Sequence, residues 1–93
     1  MIRTFANRVA RDLYASDRSK HFPPDIARRA VRKLEYLDPA TCPDDLRAPP
    51  SNRLHALSKG RKGQYSISIN DQWRICFQFV DGGAYDVEIC DYH

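Results

Sequence analysis

The hydrophobic period of this chain changes once, from helical to alternating, near Leu54. That change confines the fold to helices followed by an antiparallel sheet. Tyr65, Ile67 and Ile69 alternate with Gln64, Ser66 and Ser68. Trp73, Ile75, Phe77 and Phe79 alternate with Arg74, Cys76 and Gln78, and Tyr85, Val87 and Ile89 alternate with Asp86, Glu88 and Cys90. Asn70-Asp71-Gln72 and Asp81-Gly82-Gly83 lie between these runs as connections of hairpin length. The expected product is a meander with one apolar face.

Two helical patterns precede it. Val9 and Leu13 stand four apart with Ala6 and Ala10 beside them, which predicts a short amphipathic helix over Asn7–Ala15 with Asn7 as its N-cap. In the second pattern, His21-Phe22-Pro23-Pro24-Asp25 forms an entry turn with Asp25 available to cap. Ile26, Ala27, Ala30, Val31, Leu34 and Leu37 then recur with helical period until Asp38-Pro39 stops the run. At about 100° per residue, Arg28, Arg29, Arg32 and Lys33 share the side away from that stripe, as a solvated face or a track for phosphates. Residues 38–52, rich in Pro, Asp and Ser, are expected to be loop, and Ile2–Phe5 is a candidate edge strand. The class is α+β: two N-terminal helices packed on an antiparallel sheet, in a single domain over residues 1–93.

Register follows from the alternation. Superposing the apolar faces sets Ile67 opposite Ile75 and Ile75 opposite Ile89. Ser68, Arg74 and Cys90 then form one cross-strand row on the polar face, with Tyr92 diagonal to Arg74.

Charge sharpens the interest in Arg74. Residues 1–63 hold fourteen Lys/Arg against seven Asp/Glu, whereas residues 64–93 hold one Arg against five acids. A basic body with one lone Arg in its acidic part suggests a polyanion-binding surface plus a single placed cation, or else solvated faces that merely keep the chain soluble. Three cysteines without C-x-x-C spacing argue against a disulfide framework or zinc knuckle, and Cys42, His21 and His55 have no recognisable ligand spacing. No apolar run reaches membrane-spanning length, and residues 1–8 lack a signal-peptide core, so a cytoplasmic protein is expected, with no cofactor.

Several segments taken together resemble the HigB toxins of the RelE/ParE superfamily. They are Leu46-Arg47-Ala48-Pro49-Pro50-Ser51-Asn52-Arg53-Leu54-His55-Ala56-Leu57, Gly63-Gln64-Tyr65-Ser66-Ile67, Ile69-Asn70-Asp71-Gln72-Trp73-Arg74-Ile75-Cys76-Phe77, and Asp91-Tyr92-His93. The resemblance implies a RelE-like fold of two helices against a strongly curved sheet. It implies ribosome-dependent cleavage of mRNA and a helix-turn-helix antitoxin of the HigA type as partner, besides the 70S ribosome and the message. It also implies functional positions at His55, Arg74, Asp91, Tyr92 and His93. One departure stands out: many relatives carry Lys at the position of Ser58, so that cationic contact is displaced or supplied by Lys59, Arg61 or Lys62.

These residue types fit RNA cleavage by 2′-OH attack. Imidazole transfers protons near neutral pH, which assigns His55 and His93 to that task without fixing acid and base. A guanidinium fork grips phosphate, Tyr92 offers an aromatic face for a splayed base, and Asp91 supports. Arg28, Arg29, Arg32, Lys33, Arg53, Lys59, Arg61 and Lys62 are the expected contacts to ribosomal RNA. Two other readings use the same chain: a ParE-like toxin that poisons DNA gyrase without catalysis, and a plain nucleic-acid-binding module. The three histidines favour the nuclease.

Overall fold

The computed structural model describes residues 1–18, 20–57 and 63–91. Helix α1 spans Arg8–Ser16 and α2 spans Pro24–Leu37. Asn7 caps α1 as expected, its side-chain oxygen accepting the Ala10 N–H at 3.0 Å. Asp17 closes the same helix in the left-handed region, at φ 60°, donating its N–H to the Leu13 carbonyl. The start of α2 differs from expectation. Pro23 occupies the cap with no side-chain hydrogen bond and Pro24 opens the helix, which places Asp25 inside the first turn. There its carboxylate complements the helix dipole instead of capping.

Among the described residues four strands follow, β1 His55–Ala56, β2 Gln64–Ser68, β3 Trp73–Val80 and β4 Gly83–Asp91, in the spatial order β1-β2-β3-β4 and all antiparallel. The register is the one the alternation predicts: Ile67 faces Ile75, Ile75 faces Ile89, and Ser68, Arg74 and Cys90 form one row. The turn from β3 to β4 is tighter than the sequence suggests. Only Asp81 and Gly82 form it, both at positive φ (48° and 79°), which suits the right-handed twist of a hairpin.

One irregularity escaped the alternation. Cys76 pairs with Glu88 but Gln78 pairs with Tyr85, so β4 carries an extra residue, and Asp86 sits there at φ 53°. This bulge reverses the alternation upstream of Val87. Ala84, fully buried opposite Phe79, takes the core position, while Tyr85 pairs with Gln78 on the polar face. The segment from Met1 to Ala6 lies beside the bulge, parallel to β4. It makes isolated bridges at Ile2–Ala84 and Phe5–Val87 and not the continuous edge strand expected. Thr4 Oγ1 accepts the Asp86 N–H at 2.8 Å, which satisfies the bulged residue.

Residues 38–52 are also more ordered than their composition suggests. They form two 3₁₀ helices, Pro43–Arg47 and Pro50–Asn52, with Leu46 and Asn52 buried. The core between helices and sheet joins Leu13, Ile26, Ala30, Leu34 and Leu37 to Leu46, Ile67, Ile75, Phe77 and Val87. Phe22, in the turn before α2, meets Trp73 edge-on at 5.3 Å and anchors the start of β3. Ile75 is the central residue of the middle core row and is fully buried. Ile75→Ala should cost about 2–5 kcal/mol in urea unfolding, a large share of the stability of so small a chain.

Candidate functional site

The polar face of the sheet carries the candidate site. His55 pairs with Ser66, Ser66 with Cys76 and Cys76 with Glu88, while the neighbouring row holds Ser68, Arg74 and Cys90. Small serines on β2 leave room for a long side chain to lie across them, and Arg74 uses it. Its Nε donates to Ser66 Oγ at 3.0 Å and its Nη2 donates to the Arg53 carbonyl at 3.0 Å. The guanidinium therefore spans from β3 across β2 to the residue group that precedes β1. A planar ion fixed at two of its nitrogens has little rotamer freedom left to lose on gripping an anion.

Arg53 is shaped for this contact. It closes the second 3₁₀ helix in the left-handed region, at φ 46° and ψ 55°, and donates its N–H to the Pro50 carbonyl. A non-glycine residue takes that conformation at some cost, and here its carbonyl meets the guanidinium. Arg53, Leu54, His55 and Arg74 line an open pocket of about 380 Å³. His55 is exposed and Arg74 is half-buried, so the imidazole and the guanidinium open on one solvent-filled space. The Arg53 side chain is exposed, with a 3.8 Å ion pair to a fully solvated Asp71 that contributes little.

Asp91 does not join this group. It pairs with Trp73, one step out of phase with the Arg74–Cys90 row, and its carboxylate accepts from Gln72 Nε2 at 3.2 Å. The sequence fixes the phase of β4, but the strand's last residue falls on the other side of the sheet from Arg74. Tyr92 and His93, with Ser58, Lys59, Arg61 and Lys62, lie outside the described residues.

The Cys90 thiol, paired across from Arg74, is unsuited to nucleophilic work. Cys90 is held protonated far above the ordinary thiol range, first by its hydrogen bond with Cys76, then by burial, then by the Glu88 carboxylate, whose Oε1 accepts from Cys90 Sγ at 3.4 Å. Among the described residues no group of three His, Cys, Asp or Glu side chains is placed to hold a metal ion, so Cys42, His21 and His55 do not assemble one.

The basic side of α2 divides. Arg28, Arg29 and Arg32 are exposed and, with Asp25, line an open pocket of about 330 Å³ away from the Arg74 site. Arg28 also borders a larger neighbouring depression with Arg18 and Lys20, two cations that the helical arc left out because they belong to the connection before α2. Lys33 is a correction to the expected basic face. Only 8 % exposed, it donates from Nζ to Ser51 Oγ at 3.2 Å and to Asn52 Oδ1 at 2.7 Å. Its position borders the apolar stripe, and the 3₁₀ segment covers it. Burial first, then Arg29 and Arg32, lower its affinity for a proton. Sequence reasoning missed Ser66, the Arg53 carbonyl and Asn52 as parts of the site; the polar alternation marked Ser66, but backbone groups and loop amides leave no periodic signal.

Comparison with known proteins agrees with the geometry. The model of a family described as the RelE-like toxin of type II toxin–antitoxin system HigB matches residues 3–93. The chain is 42 % identical over 81 residues to Toxin HigB-1 of Vibrio cholerae serotype O1, covering 86 % of this chain and 85 % of that protein. It is 32 % identical over 93 residues to Endoribonuclease HigB of Proteus vulgaris, across the full length of both. With two helices on an antiparallel sheet and an arginine fixed on its polar face, the chain belongs to the HigB-like family, the RelE-like toxins of type II toxin–antitoxin systems.

Proposed function

We propose that this chain is a ribosome-dependent mRNA endoribonuclease, a cytoplasmic toxin that acts without a metal and is restrained by a helix-turn-helix antitoxin of the HigA type. The observation that carries the reading is the Arg74 guanidinium, anchored by Ser66 Oγ and the Arg53 carbonyl beside the exposed imidazole of His55. In the reaction the 2′-oxygen attacks phosphorus and the bond from phosphorus to the 5′-oxygen breaks. A 2′,3′-cyclic phosphate and a 5′-hydroxyl result. One imidazole of His55 and His93 takes the 2′-OH proton and the other gives a proton to the leaving oxygen. Arg74 meets the charge that develops on the phosphoryl oxygens. Tyr92 holds a base, while Asp91, bonded to Gln72, ties the end of β4 to the start of β3.

The test mixes purified protein with translating 70S ribosomes and a defined message, and analyses the new 3′ ends. Cyclic phosphate ends that require ribosomes support the proposal. Intact message together with inhibited gyrase supercoiling overturns it in favour of a gyrase poison.

Arg28, Arg29 and Arg32, with Arg53, Lys59, Arg61 and Lys62, are assigned to ribosomal RNA. Docking through such residues releases counterions, so log Kd for ribosomes should rise with log salt with a slope of several units. Arg28→Gln or Arg32→Gln should each reduce that slope by about 0.7–0.9, whereas Lys33→Met should leave it unchanged because its ammonium is buried. Binding that is flat between low and moderate salt would remove the α2 face from the interface.

A further inference from the structure

A buried polar chain runs from α2 to the Arg74 site, and nothing in the reaction as described above employs it. It starts at Lys33, whose Nζ donates to Asn52 Oδ1 at 2.7 Å and to Ser51 Oγ at 3.2 Å. Asn52 is fully buried, and its Nδ2 donates to the Leu46 carbonyl at 3.1 Å and the Ala48 carbonyl at 3.4 Å. Both N–H groups of that amide and its oxygen are thereby engaged. The arrangement also fixes which way the amide faces, since a flipped amide would point its NH₂ at an ammonium and its oxygen at two carbonyls. The next residue is Arg53, held in the left-handed region, and its carbonyl receives Arg74 Nη2 at 3.0 Å.

A buried ammonium is a poor choice for stability alone. Its desolvation is costly, and an apolar side chain of similar length would fill the same space on α2. Lys33 also stands near Arg29 and Arg32, whose charges add to that cost. A lysine there gains meaning from what it holds. The Pro50–Asn52 helix is only three residues long, too short to keep its own geometry, and Lys33 ties two of those residues to a fourteen-residue helix.

We propose that Lys33 and Asn52 are positioning residues for Arg74: they clamp the Pro50–Asn52 turn to α2 so that the Arg53 carbonyl stands where the guanidinium requires it. This rests on the reading that Arg74 grips the scissile phosphate. The helix that presents Arg28, Arg29 and Arg32 to an RNA surface is then rigidly joined to the group that meets the message.

The experiment measures ribosome-dependent cleavage, thermal unfolding and the Arg74 guanidinium Nη2–H signal by ¹⁵N NMR for the full chain and its variants. Lys33→Met keeps the aliphatic stem and removes the ammonium; Asn52→Ala removes the amide. Misplacing a group by about an ångström costs up to about 10²-fold, so kcat should fall by about ten- to a hundredfold. KM should stay within about twofold, because the exposed arginines are untouched. The Arg74 Nη2–H, which meets the Arg53 carbonyl, should exchange with water faster in both variants. In an Arg74→Lys background, which lacks the fork, adding Lys33→Met should cause no further loss. Full kcat and an unchanged Arg74 signal in Lys33→Met overturn the proposal, as does a loss that multiplies in the Arg74→Lys background. If Arg74→Ala itself cleaves at the wild-type rate, the reading of Arg74 falls and this one with it; if Arg74→Ala is inactive and Lys33→Met is fully active, only the positioning role falls.

Discussion

Arg74→Ala is expected to slow cleavage of ribosome-bound message by about 10²- to 10³-fold, the usual cost of deleting a preorganised donor to a developing oxyanion, or about 2.7–4 kcal/mol of barrier. The size of the effect comes from fixation as much as from charge. Ser66 Oγ and the Arg53 carbonyl already hold the guanidinium at 3.0 Å each, so its ordering cost is met in folding and not in the transition state. Arg74→Lys should fare little better, because a single ammonium cannot reach both anchors and phosphate together. Ser66→Ala should lie between, keeping the charge and losing one anchor. Stability will move less than activity. Removing Arg74 strips a partner from the buried Ser66 hydroxyl, a loss of about 1 kcal/mol, which lowers Tm by about 4–8 °C in a domain of this size. Assays well below Tm therefore separate the two. A wild-type cleavage rate in Arg74→Ala would show that the anchored guanidinium is not the phosphate grip.

The cross-strand row that frames this prediction was legible in the sequence, because the side-chain period of a strand is two and only one phase buries Ile67, Ile75 and Ile89 together. Asn7 as a cap was legible for a similarly local reason, a short polar side chain ahead of an apolar helix. The failures share a different cause. Asp86 interrupts the alternation of β4 without any glycine to announce it, and the partner that satisfies its N–H is Thr4, eighty-two residues away. Lys33 reads as a surface cation because its neighbours Arg29 and Arg32 are; in the fold Ser51 and Asn52 lie against α2 and take up its ammonium. The anchors of Arg74 are a serine two residues from its register partner and a backbone carbonyl. A long side chain leaning along the sheet selects the first, and a left-handed turn supplies the second. Neither is written in residue type.

His55→Gln and His93→Gln should each lower cleavage by about 10²- to 10⁴-fold, or about 3–5 kcal/mol of barrier, the usual contribution of a positioned acid or base. Glutamine keeps hydrogen bonding and size but transfers no proton near neutral pH. His55 stands exposed on β1 at the edge of the sheet, facing the pocket it shares with Arg74, so its loss opens no cavity and Tm should hold. The pH–rate profile separates the two roles. A base that must be neutral and an acid that must be charged give a bell for the wild-type protein. Replacing the base should remove the acid limb of that bell, and replacing the acid should remove the alkaline limb, so the surviving slope names the role of each histidine. The two substitutions together should cost less than the product of their separate effects, because a base without its acid has already lost most of the concerted advantage. If either variant keeps both limbs and the wild-type height, that histidine does not move a proton, and the transfer must pass to another group beside Arg74.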